Sequence, residues 1–126
     1  MGASIGLRDF LWLFLGVKGR ISRGPFLLGV LLLNLIIAFP VYRAILLPEN
    51  HPDVAWWIGI ASTLSFPALW SVLALSVKRV HDFGKPGPLG VLIIVPMVNL
   101  LSLVAFSAIP GEPGPNRFGS RTNSAE

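Results

Sequence analysis

The chain has no cysteine among its 126 residues. That excludes a disulfide framework, Cys-ligated zinc, thiol redox chemistry and a Cys nucleophile, and it leaves the compartment open. Charge is also scarce. Asp, Glu, Lys and Arg make up only 13% of the chain, about half of what soluble domains carry. Hydrophobic residues account for 53%, and the mean hydropathy is +0.71. A chain this short has too much surface for its volume to hide so many apolar side chains from water. Lipid is the second solvent that resolves the excess, so an integral membrane protein is expected.

Motifs of chemistry are missing as well. No nucleophile elbow, carboxylate pair or phosphate loop occurs, and Gly84-Lys85 lacks the upstream Gly and following Ser or Thr of a phosphate-binding loop. His81 and Asp82 are adjacent, which on a helix points them about 100° apart and prevents a base from meeting its orienter. Glu49, His51 and Asp53 are metal-ligand types in a short Pro-bracketed turn, and a solvated loop is the simpler reading. No catalytic residue, cofactor or metal site is therefore expected, and the chain reads as non-enzymatic. The net charge of +4 is carried by few residues set beside apolar runs, which favours lipid head groups over nucleic acid as a partner.

What is present is a series of long apolar runs separated by charged joints. Residues 7–17 are apolar but too short to cross, and Arg8, Asp9 and Trp12 suit an interfacial helix. Lys18, Arg20 and Arg23 then precede a run from Phe26 to Leu47, with Pro25 fitted to a first helical turn. This late start argues against a cleaved signal peptide, and position 6 lacks the Ser or Thr of a myristoylation signal. Within the first span lie Asn34, Pro40 as a kink, and Arg43, expected to approach Asp53 or Glu49.

A second span is expected from Val54 to Val77. Trp56 and Trp57 stand at its entrance, Ala55, Gly59 and Thr63 form a small-residue strip, and Pro67 is a second kink. A charged stretch from Lys78 to Pro88 follows, in which Arg79 and Asp82, three apart, can pair on one face and Gly84 can end the helix. Leu89 to Ile109 would make about 32 Å of helix, so one span kinked at Pro96 is preferred, with a re-entrant hairpin as the alternative. Asn34 and Asn99 fall near the middle of their spans, where a bond between them would satisfy both amides.

The expected fold is thus an all-α integral membrane protein with an N-terminal interfacial helix and three transmembrane helices. Residues 1–24 form the interfacial and juxtamembrane segment, 25–110 the membrane domain and 111–126 a Pro/Gly-rich tail whose last six or so residues are disordered. Lys and Arg flank the first span's start and the second span's end but are absent from 48–53, which predicts a cytoplasmic N-terminus. The side of the C-terminus stays open. If the tail is also inside, Asn116 and Arg117 can dock against Arg20 and the Lys78–Pro88 stretch.

Three motifs carry a family resemblance: Gly19-Arg20-Ile21-Ser22-Arg23 with Phe26, Lys78-Arg79-Val80-His81-Asp82-Phe83-Gly84-Lys85-Pro86-Gly87, and Pro110-Gly111-Glu112-Pro113-Gly114-Pro115-Asn116-Arg117-Phe118-Gly119. In order and spacing they resemble the domain of unknown function 805 family, the YhaH-like small bacterial inner-membrane proteins. Leu27, Pro86 and Pro88-Leu89 depart from the family's pattern. The resemblance implies a multi-pass protein of the bacterial cytoplasmic membrane and brings no activity, cofactor or catalytic residue. Arg20, Arg23, Arg79, His81, Asp82, Asn116 and Arg117 are the candidate interface or structural motif, and Asn34 and Asn99 the candidate intramembrane contacts. The function expected is a structural or interaction component that forms a homo-oligomer or joins a larger membrane partner; the rival is an oligomeric transporter or channel subunit.

Overall fold

The structure, a computed structural model, describes residues 6–125. The lipid-attachment signal considered above therefore lies almost wholly outside the described residues. Four α-helices and one 3₁₀ helix follow one another: α1 Leu7–Leu15, α2 Arg23–Leu46, α3 Asp53–Asp82, a 3₁₀ helix Gly87–Ile94 and α4 Asn99–Ala108.

Local chemistry explains the boundaries. Asp9 reaches back to accept the Gly6 N–H at 3.1 Å and so starts α1. Leu47 and Ile109 precede prolines, which push them out of the helical region and end α2 and α4. At the end of α3, Lys85 N–H donates to the Val80 carbonyl and Gly84 N–H to the His81 carbonyl, 3.0 and 2.9 Å. This is the paired-bond C-terminal cap, and it needs the φ of +77° that Gly84 adopts. The expected Ser22 cap is made differently. Ser22 stands at the N-terminal boundary of α2 but its hydroxyl accepts from Asn123 Nδ2 at 3.1 Å.

α2 and α3 are antiparallel, and they are the two helices long and apolar enough to cross a membrane, about 36 and 45 Å. Both continue through their prolines, Pro40 and Pro67. Only 22% of the apolar window of each is buried, so Leu28, Leu35, Phe39, Trp56 and Phe66 face outward. The expected third helix is not continuous. Pro96 and a left-handed turn at Met97 (φ 68°) separate the 3₁₀ helix from α4. The pieces measure roughly 16 and 15 Å, and neither is long enough to cross.

The core is not central. Phe26, Leu75, Val80, Ile93 and Phe106 pack together at the end where α2 begins and α3 finishes, with Phe106 meeting Phe26 edge-on at 5.9 Å. Here α1, the 3₁₀ helix, α4 and the tail gather around the two long helices. The far end is an antiparallel pair alone.

Candidate functional site: a buried charged joint

At the crowded end, three segments distant in sequence meet on one carboxylate. Asp82, in the last turn of α3, has each oxygen occupied. Oδ1 accepts from Arg20 Nε at 2.9 Å and Thr122 Oγ1 at 2.5 Å, and Oδ2 accepts from Arg79 NH1 at 2.9 Å. Both arginines are fully buried and Asp82 is 2% exposed. Two buried cations share one anion, so the balance must come from elsewhere.

It comes from backbone carbonyls. The Arg20 guanidinium donates to the carbonyls of Glu112 (2.6 Å), Gly114 (2.7 Å) and Gly119 (3.3 Å), all in the tail. Arg79 donates to those of Phe106 (2.7 Å), Ile21 (3.2 Å) and Ile109, and lies over the Phe83 ring. Charged donors to well-placed acceptors form the stronger class of hydrogen bond. This is the condition under which burying a guanidinium is tolerable. Close packing fixes the tail's path, for a Cβ at Gly111 would fall on the Asp82 carboxylate.

A third buried cation has no carboxylate. Lys78, fully buried, donates to the carbonyls of Trp12 (2.8 Å), Leu13 (2.7 Å) and Gly16, and lies over the Trp12 ring. These carbonyls lie at the end of α1, which carries the negative end of the dipole; the Trp12 carbonyl also accepts the Gly16 N–H at 2.9 Å, while those of Leu13 and Gly16 are past the helix's own donors. Lys78 thus caps α1 from another helix. Trp70 adds a bond from Nε1 to the Leu15 carbonyl, 3.0 Å.

Around this centre the tail is zipped down. His81 stacks on Phe118, with centroids 4.2 Å apart and planes 6° off parallel, and its Nδ1 lies 3.0 Å from the Gly19 carbonyl. Asn116 Nδ2 donates to the His81 carbonyl at 3.0 Å and to Glu112 Oε1 at 2.9 Å. Arg20 and Ser124 form an isolated antiparallel bridge, and Asn123 Oδ1 accepts the Ser22 N–H at 2.9 Å. The expected disorder of the last residues is corrected for 121–125: Thr122, Asn123 and Ser124 have partners on Asp82, Ser22 and Arg20.

The candidate residues thus divide. Arg20, Arg79, Asp82, His81 and Asn116 come together as one cluster. Arg23 is exposed and reaches only the Ala108 carbonyl at 3.3 Å, while Arg117 is exposed and lies over the Phe118 ring rather than joining the buried set. The Asn34–Asn99 bond does not form. Asn34 Nδ2 donates instead to the Val30 carbonyl of its own helix at 2.8 Å, an acceptor already within reach. Arg43 is likewise corrected. Its guanidinium sits over Trp57 at 5.3 Å, and no ion pair joins it to Glu49 or Asp53 among the described residues. Arg43 is one turn inside α2 and so faces the residue one turn inside α3, whereas both acids lie nearer the connecting turn. His51 Nδ1 accepts the Asp53 N–H at 3.0 Å, which makes that turn local structure.

Sequence reasoning missed Lys78 as an α1 anchor and missed Thr122 and Asn123. Lys78 gave one signal, a cation directly at the end of an apolar run. Thr122 and Asn123 gave none, because a hydroxyl and an amide in a polar tail look like solvent-facing residues.

The match to a family model described as "Protein of unknown function (DUF805)" covers residues 14–120. Among curated proteins, "Inner membrane protein YhaI" of Escherichia coli K12 is 27% identical over 107 residues, covering 85% of this chain and 86% of that protein. The same-named protein of Escherichia coli O157:H7 matches equally. No solved structure matches. The matched span runs from Phe14 to Ser120 and so includes the Glu112, Gly114 and Gly119 carbonyls that hold Arg20.

Proposed function

Because this chain belongs to the DUF805 family of unknown function, with an inner-membrane relative, we propose that it is a small non-enzymatic component of the bacterial cytoplasmic membrane that packs with itself or with a larger partner. In this reading α2 and α3 are the two crossings. The 3₁₀ helix and α4 form a re-entrant segment that enters and leaves by the charged face. Both chain ends are then cytoplasmic, as the Lys and Arg distribution favours.

The observation that carries this reading is the state of Asp82. Both its oxygens and both its arginines are spent on internal partners, so none of these three side chains is free to take part in a reaction. The arrangement suits a joint that fixes three segments together. Support for the re-entrant path is that Arg79 binds the carbonyls of Phe106 and Ile109 while the 3₁₀ helix begins five residues after Asp82. Both ends of the third segment therefore sit at one end of α3.

A transporter or channel subunit would use Asn34 and Asn99 to line a path, and the bond of Asn34 to its own helix favours the structural reading. Two measurements test the proposal. Reporter fusions at the C-terminus in intact cells should give the cytoplasmic signal, and a periplasmic one overturns the topology. Crosslinking in membranes followed by native mass in mild detergent should give a discrete assembly; a monomer without a constant partner overturns the assembly.

A further inference from the structure

The charge on this molecule is strongly segregated. At the crowded end Arg8, Lys18, Arg23, Lys85, Arg117 and Arg121 are exposed. None of them has a carboxylate within ion-pair distance among the described residues, where the ion pairs are Arg20–Asp82 and Arg79–Asp82. Among the described residues the exposed carboxylates there are Asp9 and Glu112, and both are engaged, one on the Gly6 N–H and the other on Asn116. The opposite end carries one cation, Arg43, and two carboxylates, Glu49 and Asp53, which do not pair with it. The buried joint adds to the asymmetry, because its two arginines outnumber its one carboxylate.

We propose that this rim is a docking surface for anionic phospholipid, in which Lys18, Arg23, Lys85 and Arg117 meet head-group phosphates. Lys18 precedes Gly19, whose carbonyl lies against His81; Arg23 opens α2 beside Ala108; Lys85 follows the cap of α3; and Arg117 flanks Phe118, which stacks on His81. All four therefore surround the same end of the bundle. The same end exposes apolar surface: Leu7, Phe10, Leu11 and Leu15 on α1, and Leu89 and Leu92 on the 3₁₀ helix. Cations beside apolar surface suit an amphiphile, whose phosphate and acyl chain occupy the two at once. The Lys78 clamp holds α1 in place, so this surface exists before lipid arrives.

The proposal rests on the membrane part of the reading above and not on its assembly part. The test uses the full chain reconstituted in phosphatidylcholine vesicles containing a minority of phosphatidylglycerol. Extraction with a styrene–maleic acid copolymer retains the lipid shell, in which the two lipids are quantified. The shell should be enriched in phosphatidylglycerol over the bulk at low ionic strength, and the enrichment should fall as salt is raised. The variant K18Q/R23Q/K85Q/R117Q should return the shell to bulk composition, each cation being worth roughly fivefold at most. A parent shell that matches the bulk, an enrichment indifferent to salt, or one that survives in the variant overturns the proposal. So does a parent that ignores phosphatidylglycerol but retains a soluble acidic polypeptide at the vesicle surface. If the variant fails to fold, the salt series on the parent decides alone. Native mass on the same particles keeps the two readings apart, since a monomer with an enriched shell sinks only the assembly.

Discussion

Asp82→Asn removes the one anion at the joint while keeping its shape. Three side-chain bonds converge on that carboxylate, from Arg20, Arg79 and Thr122. Asn supplies a single acceptor oxygen and turns an N–H₂ donor toward a guanidinium that is itself only a donor. Two fully buried cations then lack a counter-ion. Removing one partner of a buried pair costs about 3–5 kcal/mol. Two arginines lose a partner here, but each retains three backbone carbonyls, so the cost should stay near about 3–5 kcal/mol rather than double. For a chain of this length that corresponds to a midpoint lowered by roughly 10–20 °C. The assay is thermal unfolding in mild detergent, followed by tryptophan fluorescence, on parent and variant side by side. A companion variant separates charge from packing. R20M/R79M/D82L replaces the whole ionic set with apolar side chains of similar bulk, but it strands the backbone carbonyls that the guanidiniums hold, so it should be destabilised more than Asp82→Asn alone. A midpoint unchanged in Asp82→Asn, or a triple variant no more damaged than the single one, would refute the reasoning.

Other perturbations reach the remaining parts of the structure. Lys78→Met leaves the Leu13 and Gly16 carbonyls without their donor, at about 1–3 kcal/mol for each group left unsatisfied; hydrogen exchange across 7–17 should speed up while that of α2 stays unchanged. Gly111→Ala drives a methyl into the Asp82 carboxylate and should release the tail, seen as protease cleavage between 112 and 121 that the parent resists. Asn34→Leu should change the stability by less than about 1 kcal/mol, since the amide bonds only its own helix; a loss of several times that size would reveal a partner on another segment.

How much of this the sequence disclosed depends on the kind of partner each residue takes. The two long apolar helices were legible because long apolar runs and flanking cations are properties of the chain itself. So was the Arg79–Asp82 pair, a matter of helical spacing, and the Gly84 cap. One kinked helix was expected over Leu89 to Ile109 because 21 residues were counted at α-helical rise. A 3₁₀ stretch and the left-handed turn at Met97 divide that length into two short arms. Arg43 was assigned to a carboxylate by charge, and an aromatic face won by position along the helices. The largest omission was the set of acceptors for Arg20, Arg79 and Lys78. Nearly all are backbone carbonyls, which every residue possesses, so no side-chain pattern marks which ones a buried cation will use. The Pro/Gly density of the tail excluded a helix correctly. The same density is what bends its carbonyls toward Arg20.

The dependence runs in both directions, and this makes the two ends of the molecule unequal. Arg20 finds its acceptors 92 to 99 residues away, and Asp82 62 residues away. Closing such loops adds little beyond shorter ones, because the entropy grows only as the logarithm of length. Desolvating the guanidinium is the larger obstacle, and it is met only when the tail is down. The tail in turn has no apolar face with which to dock unaided, apart from Phe118 on His81. Arg20, Asp82 and 110–125 must therefore close together or not at all, as one cooperative unit at the charged end. The far end has no equivalent closure, since Arg43 on Trp57 and the edge contact of Phe39 with Trp57 are single, separable contacts. Local opening follows the sparser contacts. Amide exchange at 47–55 should accordingly outpace that at 78–84 by orders of magnitude in the parent, and the gap should narrow in Asp82→Asn. Equal rates at the two ends of the parent would mean that the joint contributes no local stability, and the reading of Asp82 as its centre would fall with it.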